Sequence, residues 1–258
     1  MADLHVIVGL GATGLSCARY LTARGIPIAM IDTRANPPQL AAFQQEFPDV
    51  YVALGKLDEA LLQKAATIVL SPGVALSEPL IAAQLQRGIP VIGDIELFAR
   101  AVKAPVIAIT GTNAKSTVTT LVGEMAMAAH FQAAVGGNLG IPALALLSKY
   151  PKANLFVLEL SSFQLETTYS LAPNVATVLN ITPDHMDRYP DLSAYRAAKL
   201  RVYSNCKTAV CNRDDALTTC ETRDINKLYF TLNTPNENEF GLITKNKVTY
   251  LAHGNNVY

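Results

Sequence analysis

Val106-Ile107-Ala108-Ile109-Thr110-Gly111-Thr112-Asn113-Ala114-Lys115-Ser116-Thr117 is the stretch from which the rest of the chain can be read. Val106 to Thr110 are apolar or β-favouring and follow Pro105, which predicts a buried strand. Gly111 ends it, and a helix-compatible run from Thr117 to Ala129 opens after Ser116. A strand, a tight loop, a lysine, a hydroxyl and a helix form the layout of a phosphate-binding loop. N–H groups at a helix start, together with the helix dipole, favour anionic oxygens. Lys115 is placed to reach terminal phosphates, and Ser116 or Thr117 to hold Mg²⁺. The general pattern has Gly just before the lysine and another five residues before that; here those positions are Ala114 and Ile109. An ordinary strand-to-helix turn is the competing reading.

A length of 258 residues suits one large domain or two modest ones. Hydrophobic residues make up 50% and charged residues 16%, with no net charge. No basic excess exists to draw in nucleic acid or an anionic membrane, and neither is expected as a partner. Apolar runs are broken well short of a membrane span. The opening Met-Ala-Asp-Leu-His passes almost at once into a strand and has no signal-peptide pattern. Cys17, Cys206, Cys211 and Cys220 form no Cys-x-x-Cys pair and read as reduced thiols in a cytoplasmic protein.

Before the central stretch, His5 to Gly9 reads as a strand, Gly9-Leu10-Gly11-Ala12-Thr13-Gly14 as a glycine loop, and Leu15 to about Arg24 as a helix. Pro27 to Ile31 is a second strand ending at Asp32. This is the βαβ dinucleotide pattern with its acid in place, and taken literally it predicts NAD. Two other readings stay open. The glycines serve only a tight turn and close helix packing, or the cradle holds another nucleotide diphosphate. Helices near Leu40–Glu46, Asp58–Lys64 and Glu78–Arg87 alternate with strands at Tyr51–Leu54, Thr67–Leu70 and Pro90–Ile92. Ser71-Pro72-Gly73 closes the Thr67–Leu70 strand, at the sheet edge where open α/β sheets bind ligands. Gly93-Asp94 is the expected boundary between a domain of residues 1–93 and one of residues 94–258. Asp94 is placed to cap a helix over Ile95–Val102.

After the central stretch, Gly136-Gly137-Asn138-Leu139-Gly140 reads as a tight loop. Leu155-Phe156-Val157-Leu158 is apolar throughout, as in a parallel strand covered on both faces, and it ends at Glu159. A carboxylate closing a buried strand is expensive unless paired or on a metal. Val175 to Leu179 is another such strand, followed by Asn180-Ile181-Thr182-Pro183-Asp184-His185. Three strands thus deliver Lys115 and Ser116, Glu159, and Asp184 and His185 to one sheet edge. A solvated lysine, a capping glutamate and a loop histidine are the plain alternatives. Together they suit phosphoryl transfer: lysine for phosphate, hydroxyl and carboxylate for Mg²⁺, histidine for a second ion. In a helix over Leu192–Tyr203, Lys199 falls inside the stripe of Leu192, Tyr195, Val202 and Tyr203, with Arg196 at its edge. Lys199 either snorkels out of that face or is a desolvated amine with a lowered pKa. Such an amine can take up CO₂ as a carbamate, an oxygen ligand for Mg²⁺. Further strands are expected at Thr208–Cys211 and Lys227–Leu232 around a helix at Asp214–Thr222, then a hairpin of Leu242–Thr244 and Val248–Leu251.

With these residues in hand, the chain resembles the Mur ligase family, and within it the members that add D-glutamate to UDP-N-acetylmuramoyl-L-alanine in peptidoglycan synthesis. The resemblance rests on Gly-Leu-Gly-Ala-Thr-Gly, Ser-Pro-Gly, Thr-Gly-Thr-Asn-Ala-Lys-Ser-Thr, Gly-Gly-Asn-Leu-Gly, Leu-Glu-Leu-Ser-Ser-Phe-Gln-Leu-Glu, Asp-His-Met-Asp-Arg-Tyr and Tyr-Arg-Ala-Ala-Lys, in order from Gly9 to Lys199. It implies a Rossmann-like first domain and a P-loop-type α/β second domain with a mostly parallel sheet. It implies that Leu15, Asp32, Thr33 and Ser71-Pro72-Gly73 hold the UDP end of the substrate. Gly111, Thr112, Asn113, Ala114, Lys115, Ser116 and Thr117 are implied to bind ATP. Asn138, Ser161, Gln164 and His185 are implied to face the muramoyl-alanine part. Ser116 and Glu159 would hold one Mg²⁺, and His185 and carbamylated Lys199 the second. Lys115, His185 and Lys199 are the implied catalytic residues of a cytoplasmic, monomeric enzyme.

An NAD-dependent oxidoreductase would leave the convergence of Lys115, Glu159 and His185 unexplained. A plain nucleotide-binding module would not need a lysine in an apolar stripe. A folate polyglutamate synthase would not need this first domain. The chain departs from the family at Ala114, where glycine is usual. The family's third, amino-acid-binding domain lies beyond the sequence. The expectation is therefore that this chain binds the UDP substrate without making the peptide bond.

Overall fold

The computed structural model describes residues 3–258. The chain divides into two compact units. The first contains the residues up to Lys103 with Gly136–Pro151 and Phe163–Ser170; the second contains Ala104–Val135, Lys152–Ser162 and Leu171–Tyr258.

Strands and helices alternate through the first hundred residues: β1 (His5–Val8), α1 (Ala12–Thr22), β2 (Ile28–Asp32), α2 (Leu40–Glu46), β3 (Val52–Leu54), α3 (Glu59–Gln63), β4 (Thr67–Leu70), α4 (Pro79–Gln86), β5 (Val91–Ile92) and α5 (Asp94–Ala101). The strands pair in parallel in the order β3-β2-β1-β4-β5. Every residue of β2 is buried, as a parallel strand covered on both faces must be. Val6, Val8, Ile31, Ile68 and Leu70 pack with Leu62 of α3 and Ile81 of α4 to form the core. The strand order reverses between β1 and β4. Their carboxyl ends, at Gly9 and Ser71, therefore open the crevice where such sheets bind ligands.

The next elements are β6 (Val106–Thr110), α6 (Lys115–Ala128), β7 (Ala133–Gly137), α7 (Ala143–Lys149), β8 (Leu155–Glu159), α8 (Ser162–Glu166), β9 (Val175–Val178) and α9 (Leu192–Leu200). They are followed by β10 (Thr208–Asn212), β11 (Asn226–Phe230), β12 (Glu239–Lys245), β13 (Val248–His253) and β14 (Asn256–Val257). The nine-stranded sheet runs β14-β13-β12-β11-β10-β9-β6-β8-β7. β8, β6, β9, β10, β11 and β12 are successively parallel; β12, β13 and β14 are antiparallel. Glu159 stands opposite Ile109, and Val178 opposite Thr110. That register brings the ends of β6, β8 and β9 to one edge of the sheet.

Several elements differ from the sequence reading. Gly136 and Gly137 end strand β7 rather than opening a loop. The helix from Leu192 stops at Leu200 and tightens into a 3₁₀ turn over Arg201–Tyr203. The expected helix over 214–222 is only a 3₁₀ turn at Ala216–Thr218. Its acids are engaged elsewhere. Asp214 accepts from Thr231 Oγ1 and the Leu232 N–H, and Asp215 accepts from the Ile181 and Leu217 N–H groups. Side chains that bond the backbone this way compete with helix formation. Among the described residues no helix is long and apolar enough to cross a membrane.

Candidate active site

A cavity of about 500 Å³ lies in the first unit at the β1/β4 crevice, lined among others by Gly11, Asp32, Arg34, Ser71, Asn138 and Gln164. Thr33, Pro72 and Gly73 also face it. The three glycines of the β1–α1 loop have different reasons to be bare. Gly9 has φ +103°, and a Cβ there would stand 2.7 Å from Ser71 Cβ. A Cβ on Gly14 would lie 1.9 Å from the Gly9 carbonyl oxygen, so α1 can close on β1 only without one. A Cβ on Gly11 would meet nothing within 4 Å. Packing therefore explains Gly9 and Gly14. No such packing acts on Gly11, which is the N-cap of α1 and faces the cavity.

Asp32 is not free to grip a ribose as the dinucleotide pattern requires. One oxygen accepts the Leu10 N–H at 2.7 Å, and both take the fork of Arg34 at 2.9 and 2.7 Å. Burial raises its pKa, but the Arg34 pair and the backbone N–H groups more than offset that and hold the carboxyl below its ordinary value. Arg34 is the residue of this cavity that the sequence reading missed. Leu15, expected at the substrate, lies off the cavity. Its side chain is in the core and its N–H is taken by the Gly11 carbonyl.

The Gly111–Thr117 loop lies in the second unit. The Thr112 N–H donates to the Asn180 carbonyl, and the Asn113 N–H to Asn180 Oδ1 at 2.8 Å. Thr112 Oγ1 donates to the Thr182 carbonyl and accepts the Thr182 N–H. The loops after β6 and β9 are thus laced together. The Lys115, Ser116 and Thr117 N–H groups fall in the first turn of α6, where helix geometry offers them no carbonyl. Lys115 Nζ donates to the Thr112 carbonyl at 2.9 Å and so lies along the inside of the loop. Ala114 takes φ +62°, the left-handed conformation for which glycine is usual.

Ser116 Oγ donates to Glu159 Oε2 at 2.7 Å, and Glu159 is buried at the end of β8. A hydroxyl and a carboxylate are hard oxygen donors. Among the described residues no cluster of three or more His, Cys, Asp and Glu side chains is assembled. That sparse set suits Mg²⁺, which keeps several waters and takes one or two carboxylates plus phosphate oxygens.

Lys199 is only 1% exposed. Its Nζ donates to the Gly111 carbonyl at 2.8 Å and sits 4.5 Å from the centre of the Tyr195 ring. Burial, reinforced by the neighbouring charge of Lys115 and opposed by Asp184, brings its pKa down to about 7. This is the desolvated amine of the stripe reading. Tyr195 joins the parts: its hydroxyl is 3.3 Å from Thr112 Oγ1, and the His185 ring meets it edge-on at 6.1 Å between centroids. The sequence showed Tyr195 only as a stripe residue. His185 itself is half-exposed, has φ +55° and lies 3.6 Å from Asp184. Ser161 is half-buried just after β8.

A family profile described as Mur ligase MurD-like, N-terminal domain, matches residues 3–93, and one described as Mur ligase middle domain matches residues 109–257. A UDP-N-acetylmuramoylalanine--D-glutamate ligase of Nitrosococcus oceani is 55% identical over 255 residues, covering 98% of this chain and 56% of that protein. A ligase of the same name from Pseudomonas fluorescens is 52% identical over 249 residues, covering 96% and 55%. The chain thus spans a little over half the length of the curated relatives it matches. Among solved structures, the UDP-N-acetylmuramate:L-alanyl-gamma-D-glutamyl-meso-diaminopimelate ligase from Neisseria meningitides shares the fold, with TM-score 0.62 at 17% identity over 100% of this chain and 86% of that one. The UDP-N-acetylmuramate-alanine ligase from Thermotoga maritima gives TM-score 0.53 at 19% identity over 94% and 54%. With one profile on each part of the sequence and relatives matching almost all of it, the chain belongs to the Mur ligase family.

Proposed function

We propose that this chain is the substrate- and ATP-binding part of an enzyme that joins D-glutamate to UDP-N-acetylmuramoyl-L-alanine. Residues 1–93 would serve the UDP-linked substrate, joined by side chains from residues 94–258, whose Gly111–Thr117 loop would serve ATP. The observation that carries the reading is the meeting, at one sheet edge, of Lys115 and Ser116 after β6, Glu159 at the end of β8 and the Asn180–His185 loop after β9. The relatives' names supply the reaction class.

The chemistry follows from the substrate. A carboxylate is a poor electrophile until one oxygen becomes part of a leaving group. Its oxygen attacks the γ-phosphorus of ATP, the bond to the β–γ bridging oxygen breaks, and ADP leaves. The amine of D-glutamate then attacks the acyl carbon and gives up a proton, and phosphate departs from the tetrahedral intermediate. Lys115 neutralises charge on the transferred phosphoryl group, and the first-turn N–H groups of α6 orient it. Ser116 and Glu159 would hold one Mg²⁺, and His185 with Lys199 as its carbamate a second. When bound, the ions would screen the phosphate oxygens and polarise the γ-phosphoryl group. Thr33 and the Ser71–Gly73 loop, with Arg34, would hold the UDP end, and Asn138, Ser161, Gln164 and His185 would face the muramoyl-alanine part.

The test is binding to this chain. UDP-N-acetylmuramoyl-L-alanine at 100 times its Kd should stabilise the chain by ~2.7 kcal/mol, and NAD should not. Lys115→Ala should weaken Mg·ATP binding at least ~10-fold and leave the UDP substrate's affinity unchanged. Stabilisation by NAD alone would overturn the reading.

A further inference from the structure

We propose that Asp94 is a positioning residue for the cavity of the first unit. Its buried carboxylate holds the Gln164 side-chain amide by the nitrogen and so fixes which end of that amide a ligand meets. The inference rests on the substrate reading of that cavity.

Gln164 lines the cavity, and its Nε2 donates to Asp94 Oδ2 at 3.2 Å. An amide presents a donor at one end and an acceptor at the other, and the two ends have nearly the same shape. An acceptor-only carboxylate permits one orientation.

The backbone around the pair is set separately. The Gly93 N–H donates to the Thr167 carbonyl, and a Cβ on Gly93 would lie 2.3 Å from Thr167 Oγ1, so the start of α5 is pressed on the turn after α8. Two residues along α5, in the same first turn, Glu96 accepts the Tyr169 and Ser170 N–H groups at 2.7 and 2.8 Å. With the backbone so held, Asp94 is not needed to anchor the segment.

Its setting is costly for a purely structural group. Asp94 is 1% exposed, and Oδ1 has no hydrogen-bond partner. The groups that act on it are the Gln164 amide, the Ile95 N–H and its own N–H, and the titratable group it influences is the Cys17 thiol on α1. Among the described residues no cation pairs with it. Burial raises its pKa to about 6. Nor does Asp94 cap α5 as the sequence suggested: Gly93 is the N-cap and no side chain bonds there.

The test is a double-mutant cycle on the whole chain, read by calorimetric titration with UDP-N-acetylmuramoyl-L-alanine. Asp94→Ala and Gln164→Ala should each weaken binding about ten-fold, and the double variant no more than Gln164→Ala alone. The unaltered chain should bind more weakly as pH falls through 6, whereas Asp94→Asn, which keeps the shape and cannot ionise, should show a flat profile. Asp94→Asn also serves if Asp94→Ala does not fold. Additive losses, of about a hundred-fold in the double variant, or an Asp94→Asn profile that still bends at pH 6, overturn the proposal alone. No binding by the unaltered chain overturns the substrate reading and this proposal with it.

Discussion

Ala114 carries a methyl group at φ +62°, immediately before Lys115. The left-handed region costs an L-residue about 1–2 kcal/mol, and glycine nothing. Glycine also gives back ~0.4–1 kcal/mol through the freedom of the unfolded chain. Ala114→Gly should therefore raise unfolding stability by up to about 1 kcal/mol; a urea titration showing a clear loss would mean that the strain is absent. At Lys199 the prediction concerns pH. With its pKa near 7, the amine is neutral above that pH and cationic below. Carbon-13 NMR with labelled bicarbonate should show a carbamate signal that appears as pH rises through 7 and is missing in Lys199→Ala. Removing the neighbouring charge with Lys115→Ala should move its onset to higher pH. Asp94 gives the opposite kind of test. Its folded pKa of about 6 lies above the unfolded 3.8, so ionisation costs stability at neutral pH and nothing below pH 3.8. That gap corresponds to ~3 kcal/mol as an upper bound. Asp94→Asn should raise the unfolding midpoint at pH 7.5, with the gain fading between pH 6 and 4. A gain that persists at pH 3 would show another cause.

Among the elements, α5 does more than link two sequence regions. Burial pushes the Glu96 carboxyl up, but the N–H groups of Ser170 and Tyr169 and the Arg100 side chain outweigh it and hold its pKa below the ordinary value. The stabilisation is present above the unfolded pKa of 4.5 and is lost as pH falls through the folded one. Glu96→Gln removes the charge and, with its one oxygen kept on the Tyr169 and Ser170 N–H groups, turns an NH2 donor toward the Arg100 and Ser170 side chains that donate to the other oxygen. It should cost ~1–3 kcal/mol at pH 7, with the difference from the unaltered chain shrinking in acid; urea midpoints at several pH values measure it. Nothing in the sequence pointed to this clamp, because its partners lie more than seventy positions apart. The strands that organise both sheets were legible, because β1, β2, β6, β8 and β9 are continuous β-favouring runs punctuated by glycine or proline. β7 was not, since Ala133 and the glycines 136 and 137 have little strand preference and owe their conformation to the neighbouring strand. α7 was missed because Pro142 sits at its N-cap, where Ser, Thr, Asn or Asp are the usual start signals and proline, favoured one position later, is not. In the candidate site, Lys115, Ser116, Glu159 and Lys199 were singled out by pattern and by the cost of burying charge. Arg34, Tyr195 and Asp94 were not, because the contacts of Arg34 with Asp32, of Tyr195 with Thr112 and of Asp94 with Gln164 appear only in the folded structure.

For the molecule as a whole, the compact units do not follow the order of the chain. Gly136–Pro151 and Phe163–Ser170 are built into the first unit although strands of the second precede and follow them. α7 supplies buried Ala143, Leu144 and Leu146 to that unit, and the Glu96 and Tyr169 hydrogen bonds fasten the other segment to α5 and β5. A protein opens in cooperative units that follow such contacts rather than sequence. In native-state hydrogen exchange, the amides of Tyr169 and Ser170 should therefore open with the same free energy and urea dependence as those of β5 and α5. They should not follow β8 and β9, their neighbours in sequence. Glu96→Gln should lower the opening energy of the 163–170 amides and leave those of β9 unchanged. The same reasoning predicts that residues 1–103 produced alone bind a hydrophobic dye and unfold without a sharp transition, because the faces of α1 and α5 that meet α7 are bare. A fragment of residues 1–103 with a cooperative transition as steep as its size allows would show that the two inserted segments only rest on the first unit. Exchange of Tyr169 and Ser170 in step with β9 would assign them to the second.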